Sequence, residues 1–129
     1  MRTADAFLHT ASGSHHLRLR LANRWWNRLR GLMLAPALPA AQAGQTCEGL
    51  ILMPCNSVHG MWLRQRLDIV YLGPSPNAQP HCWPVLRLAH LKPWGISAHR
   101  GSRHTLELPA GAIDVLGVRP GDLLELRHA

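Results

Sequence analysis

Residues Leu67-Asp68-Ile69-Val70-Tyr71-Leu72 decide the fold. β-Branched and aromatic residues make this the clearest strand in the chain. Alternate residues share a face, so Asp68 points with Val70 and Leu72, and Leu67 points with Ile69 and Tyr71. Both faces are apolar, and Asp68 is therefore buried whichever way the strand packs. A buried, unpaired carboxylate is too costly to stay ionised. It must be matched by hydrogen bonds or by a cation. One reading is a carboxylate that accepts backbone N–H bonds and pins a loop. The other is a general base or ligand-binding carboxylate in a pocket.

Working outward, His16–Leu21 alternates as a half-buried strand with Leu17, Leu19 and Leu21 inward and Arg18 and Arg20 outward. Asn23 can cap a short helix whose stripe is Trp25, Leu29 and Leu32, and Gly31 suits its end. Leu50–Met53, Trp83–Leu91 and Arg103–Leu108 read as strands, with the run Pro54–Leu63 irregular. Pro109 fits the first position of a helix over 110–116 that Gly117 terminates. A tight turn at Pro120-Gly121-Asp122 leads into a last strand, Leu123–Arg127. Residues 1–15 show no pattern and read as a mobile segment before one domain, 16–129. The expected class is α+β and β-rich: a small, strongly curved or partly closed sheet or barrel of five to seven short strands with two short helices.

The chain has 129 residues, 47% of them hydrophobic, and a formal charge of +7. That suffices for one buried core and excludes collagen-like, coiled-coil and low-complexity classes. Arginines supply nearly all the basic charge but form no run, so nucleic-acid binding is not favoured, and a solvated Arg-rich surface is the plainer reading. Three cysteines, Cys47, Cys55 and Cys82, do not make a disulfide framework. The N-terminus has no apolar core of a signal peptide, and no stretch reaches the length of a membrane span. Cytoplasmic residence and no membrane insertion are the expectations.

No P-loop, dinucleotide glycine fingerprint, G-x-S-x-G or zinc-finger spacing occurs. Cys55 and His59 lie four residues apart, but without a C-x-x-C pair or H-E-x-x-H they carry neither a metal site nor an activated thiol. No metal and no cofactor are expected. Trp62, Trp83 and Trp94 suit either a stacking platform or packing. His15, His16, His81, His90, His99, His104 and His128 show no ligand spacing, and most of them read as surface residues.

Four segments then stand in order: Arg30-Gly31-Leu32-Met33; Val58-His59 ahead of Leu67–Leu72; Leu106-Glu107-Leu108-Pro109-Ala110-Gly111; and Gly117-Val118-Arg119-Pro120-Gly121-Asp122. Together they resemble the DUF192 family, in the variant that carries His at the position of His59. The chain departs from the usual residues at Gly60, Trp62, Leu63 and Arg66. The resemblance covers about Leu17 to Leu126. It implies a compact β-rich domain with short helices and no assigned activity. It also includes exported relatives, which leaves the compartment open.

The residues expected to border a pocket are Arg30, Asn56, His59, Trp62, Arg64 and Asp68, which suit a small anionic or sugar-like ligand. The favoured function is a non-catalytic ligand-binding or accessory module. One alternative is a small hydrolase or isomerase using Asp68 and His59 as an acid–base pair. Another is weak binding of nucleic acid or an anionic partner through scattered arginines.

Overall fold

A computed structural model describes residues 2–22, 37–60, 63–76 and 79–127. Its strands are β1 (Arg2–Thr10), β2 (Gly13–Ala22), β3 (Cys47–Leu52), β4 (Ser57–His59), β5 (Leu67–Leu72), β6 (Cys82–Leu91), β7 (Ile96–Ala98), β8 (His104–Pro109) and β9 (Leu123–Arg127), with one short helix, α1 (Ala112–Leu116). Seven of the strands close into a barrel in the order β1-β2-β3-β8-β5-β6-β9, and β4 and β7 pair as a separate ribbon. All barrel pairings are antiparallel except β2 with β3. Closure leaves no unpaired barrel edge, which is how strands this short protect their backbone groups.

Alternation divides the apolar residues into two layers. Inside the barrel lie Leu17, Leu19, Ile51, Val70, Leu72, Leu106, Leu108 and Leu124. Outside it, Leu50, Leu52, Leu67, Ile69 and Tyr71 meet Leu38, Val58, Leu63 and Leu91 in a second cluster. Every residue of β5 is buried because the barrel covers one face and the second layer covers the other. The ribbon belongs to that layer: Val58 packs into the cluster, and the Tyr71 hydroxyl donates to Ser97 Oγ at 2.6 Å.

The segment expected to be mobile is corrected. Arg2–Thr10 is a barrel strand paired on both sides, with Ala4, Ala6 and Leu8 turned inward. Its alternation is hidden in the sequence because two of its three inward residues are alanines, which carry little hydrophobic signal. The expected helix at 110–116 begins later. Pro109 closes β8, and α1 starts after Gly111, whose φ of 90° occupies the left-handed region. Gly117, φ 69°, ends the helix as expected. The other expected helix, with Asn23 and Gly31, lies outside the described residues, so the described helix content is α1 alone. The turn Pro120-Gly121-Asp122 forms, and Asp122 Oδ2 accepts the Arg119 N–H at 2.7 Å.

The barrel's two ends differ. At one, α1 sits over the interior, with Ala112, Ile113 and Leu116 in the inner core. The hydroxyls of Thr10 and Ser12, in the β1–β2 hairpin, donate to the Leu116 carbonyl. At the other end no helix closes the barrel among the described residues.

Candidate functional site

The expected pocket does not assemble around Asp68. Arg30 and Trp62 lie outside the described residues. Asp68 is 2% exposed and faces the interior at the α1 end. Its Oδ1 accepts from His90 Nδ1 at 2.9 Å, and its Oδ2 accepts the Ile113 N–H at 2.9 Å. Oδ2 thus seats α1, while Oδ1 is covered by His90 of β6. His59 belongs to the ribbon on the outer layer, where it pairs with Ile96. Asp68 and His59 therefore sit on opposite sides of β5, and the acid–base pair is not formed. Asn56 and Arg64 are exposed. Asn56 lines a shallow hollow with Cys55 and Arg103, whereas Asp68 borders a different one with Arg66, His90 and Lys92.

The cysteines are not set up as nucleophiles. Burial pushes the Cys47 thiol up to about 11, with Glu48 adding to the effect. Cys55 Sγ is occupied in donating to the Ser57 carbonyl at 2.8 Å. Among the described residues no group of three or more His, Cys, Asp and Glu gathers as a metal site.

A different cavity stands out at the uncapped end of the barrel. It holds about 320 Å³ and is lined by Leu21, Met53, Trp83, His104 and Leu126, with Arg2 at its border. These residues come from the ends of five strands and the residue after β3. Topology brings them together: the start of β1, β6 and β8 and the end of β2, β3 and β9 share this end. The inward phase of β8 runs through His104, Leu106 and Leu108, so its first residue must face the mouth. The His104 ring stands edge-on to the Trp83 indole, with centroids 4.7 Å apart.

His104 Nδ1 is buried and finds no hydrogen-bond partner among the described residues. Burial, with the neighbouring Arg103, holds this imidazole down to about 4, so it is neutral near pH 7. A neutral imidazole offers one N–H and one lone pair, and whichever falls on Nδ1 is left unsatisfied. Such a group costs about 1–3 kcal/mol. Sequence reasoning grouped His104 with histidines of which most were expected at the surface. The signal that could have found it is its phase with Leu106 and Leu108 in the alternating run His104-Thr105-Leu106-Glu107-Leu108.

Glu107 lies on the opposite face of β8, toward the outer layer. It is only 4% exposed, and burial pushes its carboxyl up to about 8. Among the described residues no cation forms an ion pair with it.

A small closed β-barrel with α1 over one end and, among the described residues, a largely apolar mouth at the other is thus the architecture. The chain belongs to the DUF192 family, described as an uncharacterized ACR, whose sequence profile matches residues 7–126. Two archaeal relatives carry the family designation UPF0127. One, from Thermococcus sibiricus, is 26% identical over 114 residues, covering 84% of this chain and 65% of its own length. Another, from Pyrococcus furiosus, is 34% identical over 70 residues, 54% of each chain. The matched part therefore spans less than two thirds of either relative. Among solved structures, a protein of unknown function from Novosphingobium aromaticivorans superposes with a TM-score of 0.75 at 23% identity, covering 95% of this chain and 84% of that one. A Sinorhizobium meliloti 1021 protein, provisionally described as a transcription regulator, superposes equally well, with a TM-score of 0.75 at 25% identity, covering 97% and 94%. The family is one of uncharacterised function, and these two solved structures share the fold.

Proposed function

We propose that the chain is a non-catalytic ligand-binding module whose site is the barrel mouth. The supporting observation is a cavity of about 320 Å³ where His104, whose Nδ1 is buried without a partner, stands beside Trp83, Met53, Leu21 and Leu126, with Arg2, Thr3, His81 and Arg127 completing the lining. Ligand sites are mostly apolar hollows with a few convergent polar groups, and this volume fits a small molecule. The ligand has a flat or branched apolar body that packs on Trp83, Met53 and Leu126. One hydroxyl, amide or acid group meets His104, and Arg2 at the border favours a negative end. Among the described residues the mouth is bordered by His81 and His104 but by no cysteine, serine or carboxylate, which favours binding over catalysis.

The test is an NMR screen of small aromatic and aliphatic alcohols and acids against the isotope-labelled chain. Binders are expected to shift the Trp83 indole N–H and the His104 ring. Leu21→Trp, at a half-buried inward position on the mouth, is expected to abolish those shifts while the protein still melts cooperatively. If no compound moves those signals, or if a folded Leu21→Trp binds as well as the parent, the mouth is not the site.

A further inference from the structure

The arginines look scattered along the sequence, but the fold sorts them. Between residues 49 and 113 the described chain has six charged side chains that reach solvent: Arg64, Arg66, Arg87, Lys92, Arg100 and Arg103. All are cations. The two carboxyls in that stretch, Asp68 and Glu107, are buried. The rest of the described chain is balanced, with Arg2, Arg18, Arg20, Arg119 and Arg127 set against Asp5, Glu48, Asp114, Asp122 and Glu125. The excess therefore falls in this stretch of the chain, with Asp114 the one exposed carboxyl beside Arg66 and Lys92 at the α1 end. Part of it neighbours the β4–β7 ribbon: Arg87 stands opposite Tyr71 on the outer face, Lys92 follows β6, and Arg100 and Arg103 flank the turn after β7.

The same side carries the largest exposed apolar groups of the described chain. Trp94 is 62% and Ile96 85% exposed. Their exposure is built in rather than left over. Trp94 has φ 64°, a conformation a bulky side chain adopts at a cost. The turn that holds it is clamped by backbone bonds: the Gly60 N–H donates to the Gly95 carbonyl, and the Trp94 N–H donates to the Gly60 carbonyl. In the ribbon Val58 and Ser97 turn toward the barrel, so their neighbours His59 and Ile96 turn away from it.

We propose that this face docks on an anionic lipid surface. The phosphate layer of such a membrane attracts juxtaposed cations, and the interface accepts an indole and an aliphatic side chain at shallow depth. Charge alone would equally suit a nucleic acid, and Trp94 would stack on a base. Ile96 decides between them, since an aliphatic side chain offers a base nothing to stack on, whereas a bilayer rewards its burial. Docking of this kind needs no spanning segment, and no described helix is long and apolar enough to cross a membrane.

The experiment is co-sedimentation of the full chain with vesicles of phosphatidylcholine alone or mixed with phosphatidylglycerol, at low and at high salt. Binding is expected only to the mixed vesicles and is expected to weaken as salt rises. Trp94→Ser with Ile96→Ser should lower partitioning about tenfold. Arg87→Glu with Arg100→Glu, a second route that leaves the apolar groups in place, should lower it by a similar factor. Thermal melting reports whether each variant is folded. Failure to bind the mixed vesicles overturns the proposal, and so does full binding by a folded Trp94/Ile96 variant. A single-stranded oligonucleotide that binds more tightly than the vesicles, through the same residues, also overturns it and makes the partner a nucleic acid.

Discussion

Asp68 and His90 face one another across the β5–β6 pair, carboxylate Oδ1 accepting from imidazole Nδ1 at 2.9 Å, yet the two groups live in different media. The Asp68 side chain is 3% exposed and the His90 side chain 76%. The imidazole thus closes the solvent side of a carboxylate whose other oxygen reaches inward to the Ile113 N–H. That inward bond matters more to the fold. α1 is too short to have much helical stability of its own, and the bond ties its first turn to a strand on which the chain has no freedom to shift.

The two contacts should therefore differ in worth. Asp68→Ala strands the Ile113 N–H in an apolar end and is expected to cost about 2–3 kcal/mol. His90→Ala removes only an exposed partner and should cost under about 1 kcal/mol. Urea denaturation of both variants measures the difference. Equal losses would mean that the exposed contact, not the helix tie, holds this end together.

Glu107 gives stability an alkaline slope. Its carboxyl is raised from 4.5 to about 8 by burial, so the folded chain keeps a proton that the unfolded chain releases. The contribution is fully present below about 4.5 and is lost as pH rises through about 8. Glu107→Gln keeps the shape and removes the ionisation. It is expected to match the parent near pH 4 and to exceed it by a few kcal/mol above pH 8. Denaturation midpoints measured across that range check it, and parallel curves for the two proteins would show that Glu107 does not titrate as argued.

Much of the barrel was legible because its strongest strands are written in clear alternation. β2 reads as three inward leucines between polar residues, and β5 is so apolar that its pattern alone puts Asp68 inside. Asp68's role as an acceptor of a backbone N–H was one of the two readings of that burial. β1 was illegible because two small alanines fill its inward positions, and β7 because three residues carry no period. The candidate site was read from local crowding of polar and aromatic residues between Asn56 and Asp68. A strand separates such neighbours, since successive residues face opposite sides, and β5 puts His59 and Asp68 in different layers. The barrel mouth escaped notice for the converse reason. Trp83, His104 and Leu126 are far apart in sequence, and only closure of the sheet brings them together.

Gly60 is a place where one methyl group is predicted to matter. A Cβ there would meet the Lys92 carbonyl oxygen, with Trp94 N at 2.7 Å and Gly95 N at 2.8 Å. All three are backbone atoms that cannot swing away. Gly60→Ala is expected to lose about 1–3 kcal/mol and to displace the turn that presents Trp94. The change in Trp94 environment should be visible in tryptophan fluorescence below the melting transition. Gly101→Ala, whose Cβ would lie 3.9 Å from its nearest neighbour, the His99 ring, serves as a control with little steric effect. A Gly60→Ala protein as stable as that control would show that the close approach is relieved at no cost.

His104 combines a stability cost with a binding role, and one substitution separates them. Its imidazole is lowered from 6.5 to about 4, first by burial and then by Arg103, so the unfolded chain takes up a proton that the folded chain refuses. The stability tied to the neutral ring is present above about 6.5 and is lost as pH falls through about 4. His104→Phe keeps an aromatic edge against Trp83 and removes both the titration and the unsatisfied nitrogen. It should raise stability at pH 7 by about 1 kcal/mol and flatten the decline between pH 6.5 and 4. Natural proteins retain such a costly group where it meets something that the folded chain alone does not supply. The same variant should therefore bind purely apolar compounds in the mouth as the parent does, but lose its preference for those with a hydroxyl or acid group. A variant that gains stability and keeps that preference would assign the polar recognition to another residue of the rim.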